Sequence, residues 1–198
     1  MIDPAEFLLS LAEIAVALAG FSGLIVAIRA TGPHGWHPRD IWSLSWMIGA
    51  SLGTLFLALL PLWLAGLGFA PAAAYRASAA AASVYCVVFL VLMASIGRGL
   101  SLRGYPRRIP FFPTAMMMLL GTVLAAVGTT AAGLVPASRL HGVYTGGLIA
   151  LLVISSLALG VFLVLLARVV KKRGGESGVT MNPGNGPDPA DEQAARGG

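Results

Sequence analysis

Four stretches of this chain run for at least 21 residues without a charged side chain: Ile41 to Tyr75, Ala77 to Gly97, Ile109 to Ser138 and Leu140 to Ala167. A segment of that length and apolarity is at home in hydrocarbon, where a helix of roughly 20 residues crosses the bilayer and satisfies its own backbone hydrogen bonds. The chain as a whole is 57% hydrophobic and 11% charged, against about 45–50% and 25% in soluble domains. These values exclude a water-soluble globular class. Ala5 to Arg29 adds a further apolar segment, so the expected fold is all-α, a polytopic transmembrane helix bundle of five spans near 7–28, 41–66, 75–97, 112–134 and 143–168. Ile41 to Tyr75 is too long for one helix and too short for two; Gly66, Gly68 and Pro71 supply a turn that closes a hairpin after the second span.

The basic residues set the expected orientation. Arg29 and Arg39 flank the first loop, Arg98, Arg103, Arg107 and Arg108 fill the third, and Arg168, Lys171, Lys172, Arg173 and Arg196 follow the fifth span, whereas only Arg76 and Arg139 fall on the other side. The positive-inside rule then places the N-terminus out and the C-terminus in the cytoplasm. A cleavable signal peptide is not expected, because Asp3 and Glu6 precede the first apolar run and no basic residue does. Residues 1–170 make the bundle. From 171 to 198 glycine, proline and charge replace any hydrophobic period, the composition of a disordered cytoplasmic tail. Cys86 is the single cysteine, so no internal disulfide and no cysteine metal cluster can form.

Within the first span sits Glu13. Only 15 residues separate it from Arg29, fewer than a spanning helix needs, so the carboxyl group enters the membrane with the helix at a cost of about 2.5–3.5 kcal/mol near mid-span. Glu6, Glu13, Gly20 and Ala27 recur every seven residues, with Ser10 and Ala17 four after each glutamate. This small and polar heptad face is expected to be buried against neighbouring helices, with the first helix at the centre of the bundle and Phe7, Leu11, Ile14, Leu18 and Ile25 directed at lipid or a second neighbour. Ala15, Ala19 and Gly23 form a second small-residue row. Arg76, at the same outer end, is the expected partner of Glu13. Intramembrane acids tend to pair or face the bundle interior, so a neutral or paired carboxyl that fixes helix register competes with a proton or cation site.

Further close contacts are expected at Gly49 and Gly53 in the second span, along an alanine-rich, internal third span, at Gly121, Ala125, Gly128 and Ala132 in the fourth, and around Gly146, Gly147, Ser155, Ser156 and Gly160 in the fifth. Trp36, Trp42 and Trp46 are expected at the interface as anchors, and Pro61 is expected to kink the second helix. No internal repeat of an inverted-topology transporter is visible.

The opening ALAGFSGLIVAIR, followed after a Trp, Arg and Asp loop by SLGTLFLALLPLWLAGLG, resembles a group of uncharacterised small multi-pass bacterial membrane proteins over roughly the first 70 residues. The resemblance implies a bacterial inner membrane and carries no activity.

Gly20-Phe21-Ser22-Gly23 is similar to the GxSG string around the nucleophile of rhomboid intramembrane proteases. Such a serine needs a histidine within hydrogen-bond reach. His141, the candidate nearest a span, is expected about 20 Å away in depth at 1.5 Å per residue, so the string reads as a helix contact. His34, His37 and Asp40 have metal-like spacing, but glycine and proline break any helix that would align them, and an interfacial loop is the expected reading. Arg98, Arg103, Arg107, Arg108, Lys171, Lys172 and Arg173 serve as topology determinants and as candidate contacts to anionic lipid at the cytoplasmic face. No nucleic-acid surface, cofactor motif or metal set stands out. The sequence therefore points to a non-enzymatic accessory or scaffold subunit that associates through its helices, with itself or with another membrane protein. A small oligomeric channel or proton-coupled carrier using Glu13 is the alternative, and a rhomboid-like protease is a remote third.

Overall fold

The computed structural model describes residues 3–30, 38–104 and 111–176, with the side chains at 28–30, 39–40 and 165–176 left outside that description. The described residues form five long helices, α1 (Pro4–Ala30), α2 (Pro38–Gly66), α3 (Pro71–Leu102), α4 (Phe111–Ala131) and α5 (Leu140–Glu176), with one 3-10 turn at Ala137–Arg139 and no strand. Each helix has a stretch long and apolar enough to cross a membrane, the architecture of a multi-pass membrane protein.

Local chemistry sets the helix ends. Asp3 caps α1, its Oδ1 accepting from the Ala5 N–H at 3.1 Å, with Pro4 in the first helical position, where a missing N–H costs nothing. After α2 the chain reverses in a Schellman turn. The N–H of Phe69 donates to Leu64 O and that of Gly68 to Ala65 O, with Gly68 at φ +88°, a backbone state that favours glycine. Pro71 then opens α3. The same pair of bonds ends α4, from Leu134 to Thr129 O and from Gly133 to Thr130 O.

Residues 1–162 form one compact unit. Within it α1 packs along α2, α2 along α3 and α3 along α4. The first part of α5 is tied to α2 by side-chain hydrogen bonds from Tyr144 and between Ser155 and Ser51. It meets α4 at Gly147, where a Cβ would lie 3.0 Å from a Val127 methyl. In the apolar stretches of α2 and α5, 44% of residues are buried, against 28% in each of the other three helices. The most enclosed helices are therefore α2 and α5, and of these α2 packs along both α1 and α3; the centre is not α1. The second unit, 163–198, is helical as far as Glu176. The helix thus continues through Lys171, Lys172 and Arg173 where disorder was expected, because lysine and arginine are good helix formers. The rest of the expected tail lies outside the described residues.

The core is a run of large side chains: Trp42, Trp46, Met47 and Leu57 of α2, Phe89 and Met93 of α3, Phe112, Met116, Leu120, Val123 and Val127 of α4, and Tyr144, Leu148, Leu151 and Ile154 of α5. Trp42 and Trp46 are 4% and 0% exposed, so they are core residues and not the interfacial anchors expected of them; Trp36 lies outside the described residues. Trp46 stands edge-on to Phe89, with ring centroids 5.2 Å apart, and Trp42 edge-on to Trp46 at 6.1 Å. Each edge-on pair of this kind adds about 0.5–1.5 kcal/mol beyond the area it buries.

Small residues follow a different rule from the one expected. On α4 the buried positions are Phe112, Met116, Leu120, Val123, Val127 and Thr130, while Ala125 and Ala132 are exposed and Gly121 and Gly128 have no neighbour within 4 Å of a built Cβ. On α3 only Ala74, Ala79 and Ala82 of the alanine run are buried, so that helix is internal on one face alone. Gly146, Ser156 and Gly160 of α5 are likewise exposed. Lipid is as apolar as the protein interior, and nothing but packing geometry draws a small residue inward.

Candidate functional site

The polar groups of the spans fall into an outward set on α1 and an inward set centred on α2. On α1, Leu8, Leu11, Ala12, Ala15, Ser22 and Ile25 are buried, which turns Glu6, Ser10, Glu13, Ala17 and Gly20 outward, all of them exposed. The expected burial of this heptad face within the chain is thus reversed. The larger side chains of the opposite face fill the groove along α2, and residues at seven-residue spacing go together to whichever side remains. Gly20 and Gly23 have no neighbour within 4 Å of a built Cβ, so neither is a helix contact inside the chain. Ser10 donates to Glu6 O of its own helix at 3.1 Å. Arg76 is exposed on α3, and among the described residues no ion pair joins it to Glu13.

Most of the inward set is hydrogen bonded within the bundle; Trp46 Nε1 and Ser78 Oγ are buried with no hydrogen-bond partner among the described residues. Pro61 lies inside α2 and has no N–H, which leaves the carbonyl of Leu57, four residues earlier, without its helical donor. Tyr144 of α5 donates its hydroxyl to that oxygen at 2.6 Å while 0% exposed. Next to it Tyr75 of α3 lies edge-on to the Tyr144 ring and hydrogen bonds to His141 Nδ1 at 3.0 Å. Lower on α2, Ser155 donates to Met47 O at 3.1 Å, so the 2.6 Å contact between the two hydroxyls is a bond from Ser51 to Ser155. Gly49 and Gly53 make the expected close approach, as Gly147 does against α4. A side chain at Gly49 would overlap the Phe89 ring and one at Gly53 the Tyr85 ring, and Tyr85 donates to Gly49 O. The pairing of Pro61 with a distant tyrosine is legible only as a possibility in sequence: the proline announces a free carbonyl, but not the residue that takes it.

The serine and histidine of the protease-like string do not meet. Ser22 is 0% exposed and donates to Leu18 O at 2.7 Å on its own helix, while His141 is engaged with Tyr75. A hydroxyl spent on the i−4 carbonyl and buried among apolar side chains is a packing residue. His34 and His37 lie outside the described residues, as do Arg107 and Arg108; among the described residues no group of three His, Cys, Asp or Glu side chains is placed to hold a metal. Cys86 is buried. Of the basic candidates, Arg98 and Arg103 are exposed at the end of α3. Arg98 sits at a groove of about 600 Å³ bounded by the start of α2, the end of α3 and the start of α4. Compared with protein-family models, curated proteins and solved structures, the chain matches none.

Proposed function

We propose that this chain is a membrane protein without catalytic activity that works by helix–helix association, as an accessory or scaffold subunit of a bacterial inner-membrane assembly. The observation that carries this reading is the outward Glu13, without an ion-pair partner among the described residues and flanked on its face by Ser10, Ala17 and Gly20. A carboxylate left against lipid is costly, and small residues around it let another backbone come close. A helix of a second subunit removes both the lipid and the cost. Arg76, exposed on α3 and without an ion-pair partner among the described residues, offers a second copy of the chain the opposite charge. The N-terminus is taken as outside, on the distribution of basic residues.

The test is subunit counting in bilayers for the wild-type chain, Glu13→Leu and Arg76→Gln, with cysteine crosslinking of Glu13→Cys to Arg76→Cys in a Cys86→Ser background. The reading expects an oligomer that Glu13→Leu disperses into folded single chains. Assembly that survives Glu13→Leu removes it. The channel or carrier reading has one observation in its favour: an outward carboxyl lines a conduction path once several copies surround it. It expects proton or cation flux in liposomes that Glu13→Gln abolishes while the oligomer stays intact.

A further inference from the structure

The groove beside Arg98 is built, and its construction is independent of α1. Its floor is the buried indole of Trp42, whose Nε1 donates to Met93 O of α3 at 3.1 Å. Phe112 of α4 meets the same indole edge-on at 6.5 Å. Gly97 is what lets the ring lie against α3: a Cβ there would sit 3.2 Å from the indole. Floor and walls are thus fixed by a hydrogen bond, an aromatic contact and a close backbone approach, which makes the cavity preformed. At about 600 Å³ it falls inside the range of roughly 300–1,000 Å³ typical of ligand clefts.

Its chemistry is graded along the helix axes. The deep part is apolar, with Trp42, Met93 and Met117; the polar groups, Arg98, Ser101 and Thr114, gather toward the end of α3 and the start of α4. Arg98 is exposed and has no ion-pair partner among the described residues. Leu102 and Phe111, at the facing helix ends, are 89% and 80% exposed, as apolar side chains are where helices leave hydrocarbon. The walls belong to membrane-spanning stretches of α3 and α4, so the molecules that reach the groove are lipids. An apolar depth with one guanidinium at its mouth complements an acyl chain below an anionic head group, since arginine binds phosphate oxygens through paired N–H donors.

We propose that the groove between α3 and α4 is a binding site for one phospholipid with an anionic head group, its phosphate held by Arg98 and an acyl chain laid over Trp42.

The test is native mass spectrometry of the full-length protein in a neutral detergent, titrated with phosphatidylglycerol or with phosphatidylcholine of the same chain length. One phosphatidylglycerol per chain is expected to be retained at least about tenfold more tightly than phosphatidylcholine, whose quaternary ammonium offsets the phosphate charge that Arg98 meets; tenfold corresponds to about 1.4 kcal/mol. Arg98→Gln should erase that preference, Arg139→Gln should keep it, and Ala94→Leu, which fills the groove wall, should weaken retention of both lipids. Thermal unfolding of each variant without lipid checks that the fold is intact. Equal retention of the two lipids by the wild type overturns the proposal. So does a preference that survives Arg98→Gln, which assigns it to other basic residues, or stabilisation by inorganic phosphate alone equal to that by phosphatidylglycerol, which makes the site a simple anion site.

Discussion

α1 and α2 run side by side, are nearly equal in hydropathy and both carry polar residues in their spans, yet they treat those residues in opposite ways. α2 turns Ser51, Thr54, Gly49 and Gly53 inward, where Ser155, Tyr85 and Tyr144 hydrogen bond to its hydroxyl and carbonyl oxygens. α1 turns Glu6, Ser10 and Glu13 outward, where no partner side chain stands among the described residues. The lesson concerns where polarity is satisfied. The hydroxyls and freed carbonyls of α2 find their partners within the fold and stabilise it, with Trp46 Nε1 the buried exception; the carboxyl groups of α1 are left for something outside the described fold, and this is why the association reading attaches to α1 and not to the more polar-rich centre.

The sharpest way to break the contrast is to crowd it. Gly53→Val places a branched side chain on the Tyr85 ring and is expected to cost about 1–3 kcal/mol of stability. The same change at Gly20, with open space around it, should cost under about 0.5 kcal/mol in the single chain. Reversible unfolding in mixed micelles compares the two directly, and equal losses would mean that α1 is not an outward helix.

Next in size is Tyr144→Phe. It strands the Leu57 carbonyl in the core, for an expected loss of about 1.5 kcal/mol. Pro61→Ala restores an N–H for that carbonyl, so the double variant should lose much less than Tyr144→Phe alone. Additive losses would show that the tyrosine acts by packing and not by filling the gap the proline leaves.

Smaller still is the serine pair. Ser51→Ala is expected to cost about 0.6 kcal/mol, in line with interhelical hydrogen bonds measured in membranes, and adding Ser155→Ala should cost further through the lost bond to Met47 O. The smallest effect belongs to α1. Glu13→Gln should change the unfolding free energy of the dispersed chain by under about 0.5 kcal/mol while changing its association, and a large loss in the dispersed chain would place Glu13 inside the fold.

Much of the helical layout could be read directly. The charge-free intervals mark where helices cross, and Gly66, Gly68 and Pro71 mark the turn between α2 and α3, because glycine and proline act locally whatever surrounds them. Gly49 and Gly53 were legible as a close contact, although not as a contact with Phe89 and Tyr85. The inward face of α1 was not legible, nor was the core position of Trp42 and Trp46, nor the groove they help to shape.

Sequence alone determined the solvent, the all-helical class and the five apolar segments, since the cost of unsatisfied backbone in hydrocarbon leaves a chain this apolar no other open choice. Only the tertiary structure decided which side of each helix is the inside. In water the hydrophobic effect would have drawn the apolar face inward and announced it. In a bilayer both sides are apolar, and shape decides: Leu8, Leu11 and Ala15 fit along α2, so Glu13 faces out, and Tyr144, 87 residues along the chain from Leu57, supplies the hydrogen bond that Pro61 withholds.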